Sequence, residues 1–287
     1  MKKVILMVDT TTAGGFMKPE IEKKGLIFVP IVVTVDGVEY KAGDEINNGW
    51  LAKNVNIKSV VKTSQVNPLE IENGFKRGLE SAEHVFYVPI STGLSSTYST
   101  ASAIAAKPEF KGKVTIYDSH YITPWIQVIF QDLIDVVNKA NSTSEIEEFL
   151  NYWNGKMFGW IAPQNLDRLY AGGRISKVQY IAGKLLKVTP VIPVFNGSMN
   201  EEGTVKGKGL EKTMDKVAKI AIAKSKELEA ELGVEIALSY IDEFELGLKQ
   251  ILKDNGVTKM TKVELGPEII AHIGSGSWGV GLMPRKK

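Results

Sequence analysis

The chain has 287 residues, of which 44% are hydrophobic and 24% are charged, as in ordinary globular proteins and unlike disordered or collagen-like chains. Its 35 Lys and Arg residues against 33 Asp and Glu residues give a formal net charge of +2. This argues against a nucleic-acid binder, because such a protein needs a concentrated basic face. The sequence contains no cysteine, which excludes disulfides, thiolate metal sites, iron–sulfur clusters and cysteine nucleophiles.

The apolar runs are too short for a secretion signal or a membrane span. Val4–Val8 ends at Asp9, whereas the apolar part of a signal peptide needs about 7–15 residues. The longest apolar stretch, Gly25–Val35, falls short of the roughly 20 residues that cross a bilayer. We therefore expect a soluble, cytoplasmic protein with no stable membrane insertion.

The first half of the chain alternates strand-like and helix-like segments. Asp36-Gly37 is typical of a hairpin turn, and Asn67-Pro68 is typical of an N-cap followed by proline in the first helical turn. The predicted strands are Lys3–Val8, Leu26–Val35, Val38–Tyr40, Val85–Ile90 and Val114–Tyr117, and the predicted helices span 68–80, 97–106, 125–140 and 145–154. Strands separated by helices of this length predict right-handed βαβ units and a parallel sheet.

The second half contains strands at less regular spacing. The predicted strands are Phe158–Ala162, Val188–Phe195, Val234–Tyr240 and Lys259–Leu265, and the predicted helices span 164–170, 210–232 and 243–253, with a further helix after Lys177. Pro190 and Pro193 favour an edge or irregular position for their strand, because proline cannot donate a ladder hydrogen bond. The sequence therefore predicts two α/β domains, residues 1–155 with a parallel sheet and residues 156–287 with a mixed sheet.

The segment Ile90–Thr97 is the first candidate for ligand binding. It lies where a predicted strand gives way to a helix, and ligands of open α/β sheets bind outside the carboxyl ends of the strands. The first N–H groups of a helix attract anions. The alternative is that its hydroxyls only cap the helix and fill the turn, and the sequence leaves both possibilities open. The candidate residues are Ser91, Thr92, Gly93, Ser95, Ser96 and Thr97.

A second polar cluster, Lys62-Thr63-Ser64-Gln65, follows Val60-Val61. Thr63 could lie at the same edge of the sheet as Ser95 and contact the same ligand. The alternative is a Ser/Thr turn ahead of the next helix.

Two glycine-rich segments of the second half carry weaker signals. Gly274–Gly279 fits G-x-G-x-x-G, but a dinucleotide site also needs a preceding strand and a following helix, so we predict a loop whose backbone approaches another group. His272 is either structural or ligand-binding. Arg174, within Gly172–Lys177, is either an ion-pair partner or an anion contact. No metal-binding pattern of histidines or carboxylates occurs, and no cofactor is expected.

Taken together, these segments resemble the DegV family of fatty-acid-binding proteins over nearly the whole chain. Each matching piece is short, and the joint match rests on their order and spacing. The pieces are Val4–Thr11, Lys62–Gln65, Ile90–Thr97, Tyr117–Ser119, Gly172–Lys177 and Gly266–Gly279.

The resemblance implies a non-catalytic protein that binds one long-chain fatty acid in a tunnel between two α/β domains. It implies that the hydroxyls of Thr63 and Ser95 bind the carboxylate and that His272 lies near this head group. Some family members are the binding subunit of a bacterial fatty-acid kinase and present the carboxylate to a separate ATP-using subunit. The expected partners are therefore the fatty acid and a kinase subunit of this kind. Further candidates for ligand contact are Ser64, Thr92, Gly93 and Arg174.

Several positions depart from the family pattern. Asp9-Thr10-Thr11 replaces D-S-T, and Ser96 replaces a glycine after the loop serine. Pro163-Gln164 stands where an acidic pair is usual, and Lys206 stands where kinase-partnered members carry arginine. The binding hydroxyls are retained, whereas the last two changes weaken the expectation of a kinase partner.

Two other functions remain open from the sequence. One is a serine hydrolase acting on acyl esters, with Ser95 as nucleophile and His272 as base, although G-x-S-x-G is absent. The other is a regulator that binds phosphate or a nucleotide at the helix start after Gly93.

Overall fold

The computed structural model describes most of the chain. The described residues are 1–56, 58–177, 180–181, 189–200, 202–207, 209–232, 234–239, 242–257 and 260–284. The chain divides into two compact units, the first comprising Met1–Asn154 and Leu265–Ala271 and the second comprising Gly155–Glu264 and His272–Lys287. The predicted domains, 1–155 and 156–287, stay a prediction, and the compact units differ from them because residues 265–271 cluster with the first unit.

The first unit is built from strands joined by helices. Its strands are β1 (Lys2–Asp9), β2 (Ile27–Val29), β3 (Val32–Val35), β4 (Val38–Lys41), β5 (Val61–Ser64), β6 (Ala82–Val88) and β7 (Val114–Ile116). Its helices are α1 (Lys18–Lys23), α2 (Asn48–Asn54), α3 (Pro68–Ser81), α4 (Thr97–Ala105), α5 (Thr123–Lys139) and α6 (Thr143–Trp153).

Within the described residues, the first unit has a parallel sheet of order β2-β1-β6-β7 and an antiparallel sheet of order β4-β3-β5. The predicted parallel sheet is confirmed. The apolar run Leu26–Val35 forms two strands rather than one, since β2 pairs with β1 whereas β3 pairs with β4 and β5. Pro30 separates them and has no N–H to continue a ladder.

Helix α3 covers one face of the parallel sheet. Its buried residues include Ile71, Phe75 and Gly78, whose spacing of three and four residues puts them on one face of the helix. They pack against Val85 and Tyr87 of β6, which alternate along the strand and so share one face of the sheet. The predicted helix 68–80 therefore forms because its apolar stripe matches a strand face.

The second unit is built around a mixed sheet. Its strands are β8 (Phe158–Ala162), β9 (Thr189–Phe195), β10 (Ser198–Met199), β11 (Val205–Gly207), β12 (Val234–Ser239), β13 (Met260–Lys262) and β14 (Trp278–Pro284). The helices of this part of the chain are α7 (Leu166–Ala171), α8 (Leu210–Leu232), α9 (Asp242–Asp254) and α10 (Pro267–Ile273), and the first five residues of α10 belong to the first unit.

The described strands of this sheet follow the order β10-β9-β8-β14-β12-β13, with β11 also paired to β9. Strands β12 and β13 are parallel and the other pairs are antiparallel, which confirms the predicted mixed sheet. The helix predicted at 210–232 has the bounds of α8. The helix predicted after Lys177 lies largely outside the described residues.

Of the two positions predicted for β9, edge or irregular, the edge position is wrong, because β8 pairs along one side of β9 and β10 and β11 pair along the other. Pro193 is tolerated because its backbone nitrogen and carbonyl point away from β8, toward the gap between β10 and β11. Its carbonyl there accepts the Asn200 N–H at 2.9 Å. The missing proline N–H therefore breaks no bond of the ladder with β8.

No described helix is both long enough and apolar enough to cross a membrane.

Candidate functional site

The loop Ile90–Ser96 follows β6 at the carboxyl edge of the parallel sheet. Strands β1 and β6 are neighbours, with Val8 opposite Val88, so the loop begins beside the end of β1. The side chain of Asp9, the last residue of β1, accepts the Ile90 N–H at 2.7 Å. This edge of a parallel sheet is where ligands of such folds bind.

Ser95 takes part in a chain of polar contacts at the start of α4. The Thr97 N–H donates to Ser95 Oγ at 3.2 Å, and the two hydroxyl oxygens are 2.9 Å apart. Thr97 Oγ1 accepts the Val66 N–H at 3.4 Å. When Thr97 donates its hydroxyl hydrogen to Ser95, both acceptor positions of Ser95 are filled and its own O–H can donate outward. A role in the turn and a role as ligand donor are therefore compatible at Ser95.

Gln65 ties the end of β5 to the same loop. Its Oε1 accepts the hydroxyl hydrogens of Ser96 at 2.7 Å and Thr100 at 2.9 Å. Thr63 lies two residues earlier, half-buried in β5 and opposite Val33. These bonds join the two polar clusters that the sequence singles out. Contact of Thr63 and Ser95 with one ligand stays a prediction.

Three other predicted site residues have different surroundings. Side chains alternate along a strand, so Ser64 lies on the face of β5 opposite to that of the preceding residue. The Thr92 hydroxyl donates its only hydrogen to Asp118 Oδ2 at 2.6 Å, which places a carboxylate beside it. The Gly93 N–H donates to Ser91 Oγ at 3.1 Å. Ligand contact by these residues stays a prediction.

The buried Asp9 carboxyl holds this edge together. Besides the Ile90 N–H, it accepts the Thr12 N–H at 3.0 Å. Burial raises the pKa of Asp9 from 3.8 to about 6, and these hydrogen bonds limit the rise. Asp9 therefore fixes the start of the loop from inside the protein.

Glu268 is a buried acidic residue that is not among the site residues predicted from the sequence. It is 3% exposed, and its Oε1 accepts the hydroxyl hydrogens of Thr11 at 2.8 Å and Thr123 at 2.9 Å. Burial raises its pKa from 4.5 to about 7. In the sequence, Glu268 is marked only as a single acidic residue at the start of the largely apolar segment 267–273.

In the second unit, His272 lies among positive charges. It is 8% exposed, as is Arg168. Burial, together with the charges of Arg174 and Arg168, lowers the pKa of His272 to about 4. Burial also lowers the pKa of Arg174. His272 is therefore a neutral imidazole at pH 7, beside two guanidinium groups that favour an anion.

The position of His272 explains why residue 172, in the Gly172–Lys177 segment, is a glycine. A Cβ on Gly172 would lie 2.8 Å from both Cε1 and Nδ1 of the imidazole ring, which is closer than side chains pack. The glycine lets the backbone approach the histidine. Head-group contact by His272 or Arg174 stays a prediction.

The segment Gly274–Gly279 begins after α10, and its last two residues lie in β14. A helix therefore precedes the segment and a strand follows it, which is the reverse of a dinucleotide site. Gln164 Oε1 accepts the Gly276 N–H at 2.9 Å, and a Cβ on Gly276 would lie 2.4 Å from Gln164 Nε2. The group that this backbone approaches is therefore Gln164. Gln164, one of the two residues that stand in place of the acidic pair of the family pattern, therefore holds this loop in position.

Among the residues that the structure describes, no group of three or more His, Asp or Glu side chains could hold a metal ion.

Three comparisons place the chain among known proteins. A family model described as "Uncharacterised protein, DegV family" matches residues 3–285. A DegV domain-containing protein of Deinococcus radiodurans is 27% identical over 283 residues, covering 97% of this chain and 98% of that protein. The solved structure of a DegV family protein from Thermus thermophilus, described with its fatty acid binding, has a TM-score of 0.79 at 23% identity, covering 99% and 100% of the two chains. A fat acid (stearic acid)-binding protein from Eubacterium ventriosum has a TM-score of 0.79 at 22% identity, covering 99% and 98%.

Proposed function

The chain belongs to the DegV family, and on that premise we propose that it binds one long-chain fatty acid and holds the carboxylate with the hydroxyls of Thr63 and Ser95. Two structural neighbours are described as binding a fatty acid. The observation that carries the proposal is the chain of contacts from the Val66 N–H through Thr97 to Ser95. With the Thr97 hydroxyl as donor to Ser95, the Ser95 O–H can donate to an anion at the carboxyl edge of the parallel sheet.

The chemistry of a fatty acid suits such a site. Burying about 14 methylenes at ~0.8 kcal/mol each gives a gross term near 11 kcal/mol. One hydrogen bond to the charged carboxylate adds about 1.5–3 kcal/mol. The tail therefore sets the affinity, and the hydroxyls set the orientation of the head group. The tunnel implied by the family resemblance stays a prediction that a crystal structure with bound fatty acid would test.

We propose that the protein carries the acid or presents it to another protein and does not convert it. The contacts described for Ser95 go to the hydroxyl and the N–H of Thr97, whereas a serine nucleophile needs a base as its partner. His272, with a pKa of about 4, is a weak base at neutral pH. A kinase subunit remains the proposed recipient, with Lys206 exposed on β11 where kinase-partnered members carry arginine.

Calorimetric titration with long-chain fatty acids tests the head-group assignment. Ser95→Ala and Thr63→Val each remove one charge-assisted hydrogen bond, so we expect each to weaken binding roughly 10- to 100-fold. Ser99→Ala is the matched control, because this exposed hydroxyl of the same helix donates to the Ser96 carbonyl and should leave affinity unchanged. Unchanged affinity in both site variants would show that these hydroxyls do not bind the carboxylate. Labelling of Ser95 by a fluorophosphonate would instead favour a serine hydrolase.

A further inference from the structure

The two oxygens of the buried Glu268 carboxyl are bonded unequally. Both neighbouring hydroxyls, from Thr11 and Thr123, donate to Oε1. Oε2 is buried and has no hydrogen-bond partner among the described residues. Gly266 lies against the same carboxyl, since a Cβ there would be 2.3 Å from Oε1 and 2.4 Å from Oε2.

This one-sided pattern is that of a neutral carboxylic acid. In the acid form one oxygen is the carbonyl acceptor and the other carries the proton, whereas a carboxylate seeks donors on both oxygens. A buried anionic oxygen without a donor is far more costly than a buried hydroxyl, because no water solvates it.

The charges around Glu268 favour the same form. Asp9, at the end of the neighbouring strand β1, is ionisable, and its negative charge raises the pKa of Glu268. Thr11 and Thr123 are uncharged, and the first charged residue of α5 is Asp132. The other titratable residue of α10 is His272. No lysine or arginine of the described segments that carry Thr11 and Thr123 contacts the Glu268 carboxyl.

We propose that Glu268 is a proton-binding site whose proton sits on Oε2, and that its ionisation weakens the attachment of residues 265–271 to the first unit. The described hydrogen bonds of this attachment include the two from the threonines and one from Asn48 Nδ2 to the Leu265 carbonyl at 2.6 Å. Loss of the proton leaves a buried anionic oxygen without a hydrogen-bond donor among the described residues, and the charge of Asp9 makes this anion less favourable. Water entry or outward movement of the segment relieves that charge. The pKa of about 7 places this change near neutral pH.

Carbon-13 NMR of protein labelled at the glutamate carboxyl carbons tests the proton site directly. We expect one signal, absent in Glu268→Gln, that titrates near pH 7. Thr123→Val removes a donor that stabilises the anion, so it should move this midpoint upward. The Thr123→Val shift also assigns the signal if Glu268→Gln does not fold.

Hydrogen exchange tests the attachment. After correction for intrinsic rates, amide protection of 265–271 should fall at least several-fold between pH 6 and pH 8 in the wild type and should fall clearly less in Glu268→Gln. Glu83→Gln, which removes an exposed partner of Lys3, is the control and should behave like the wild type. A Glu268 carboxyl already ionised at pH 5, or equal pH dependence of protection in wild type and Glu268→Gln, would overturn the proposal. Neither readout depends on the identity of the bound ligand.

Discussion

At Ser95 a single hydroxyl serves the turn before α4 and the proposed carboxylate. The two roles coexist because a hydroxyl has two acceptor positions and one hydrogen. Ser95 accepts the Thr97 N–H, and its own hydrogen is available to a ligand when the Thr97 hydroxyl is the donor of their 2.9 Å contact. Thr92, three residues earlier, differs because its hydrogen is already given to Asp118. Residue type alone does not separate these hydroxyls, and their hydrogen-bond partners do.

Gln65 offers a test at the residue scale. We expect Gln65→Ala to weaken fatty-acid binding about 3- to 10-fold, because the lost bonds to Ser96 and Thr100 free the segment that carries Thr63. Gln65→Glu keeps an acceptor oxygen and should retain most of the affinity in the same calorimetric titration. Gln131→Ala, which loses an exposed bond to Asp135, is the neutral control. If Gln65→Ala binds as the wild type does, the bridge has no part in positioning the site.

At the scale of elements, hydrophobic periodicity and turn residues predicted most of the architecture. Asn67-Pro68 begins α3 as expected, with the Asn67 side chain accepting the Leu69 N–H at 2.9 Å. Asp36-Gly37 forms a turn in which both residues have positive φ, as the predicted hairpin requires. These signals are local, so they can be identified without the rest of the fold.

Long-range pairing could not be predicted in the same way. The sequence showed an apolar run from Leu26 to Val35 but not that its halves join different sheets. Glu268 depends on hydroxyls 257 and 145 residues away along the chain. Such contacts are set by which segments meet in the folded state, and no local pattern encodes them. The family resemblance supplied Thr63 and Ser95 as a pair, which spacing alone could not.

The contact between α3 and the parallel sheet provides a test at the element scale. A Cβ on Gly78 would lie 2.5 Å from Val85 Cγ2, so Gly78→Ala forces the helix away from β6. We expect a loss of about 1–3 kcal/mol in the free energy of unfolding, measured by urea denaturation. Gly49→Ala on α2 is the control, since its Cβ meets only Asn47 Oδ1 at 3.4 Å, and helix propensity favours alanine there. Equal stability of the two variants would contradict this packing.

At the scale of the whole molecule, two buried carboxyls link stability to pH. The pKa of Asp9 rises to about 6 and that of Glu268 to about 7, so the folded state binds protons more tightly than the unfolded state. Their contribution to stability is therefore complete below the unfolded pKa values near 4 and is lost as the pH rises through 6 and 7.

Urea unfolding at a series of pH values from 5 to 8 checks this sign. We expect these two groups together to lower the free energy of unfolding by about 4 kcal/mol across this range. In Asp9→Asn the decrease near pH 6 should disappear, whatever the absolute stability of that variant. Burial lowers the pKa of His272 from 6.5 to about 4, so this group adds stability as the pH rises from 5 to about 6.5 and offsets part of the decrease. Equal pH dependence of stability in the wild type and in Asp9→Asn would contradict a raised pKa of Asp9.

Mass spectrometry of an organic extract of the purified protein determines whether this chain holds a fatty acid. Protein isolated from growing cells without added lipid should yield about one long-chain fatty acid per chain, and the yield should drop sharply in the Thr63→Val, Ser95→Ala double variant. An extract with no acyl species, from protein that also takes up no added fatty acid, would contradict the account.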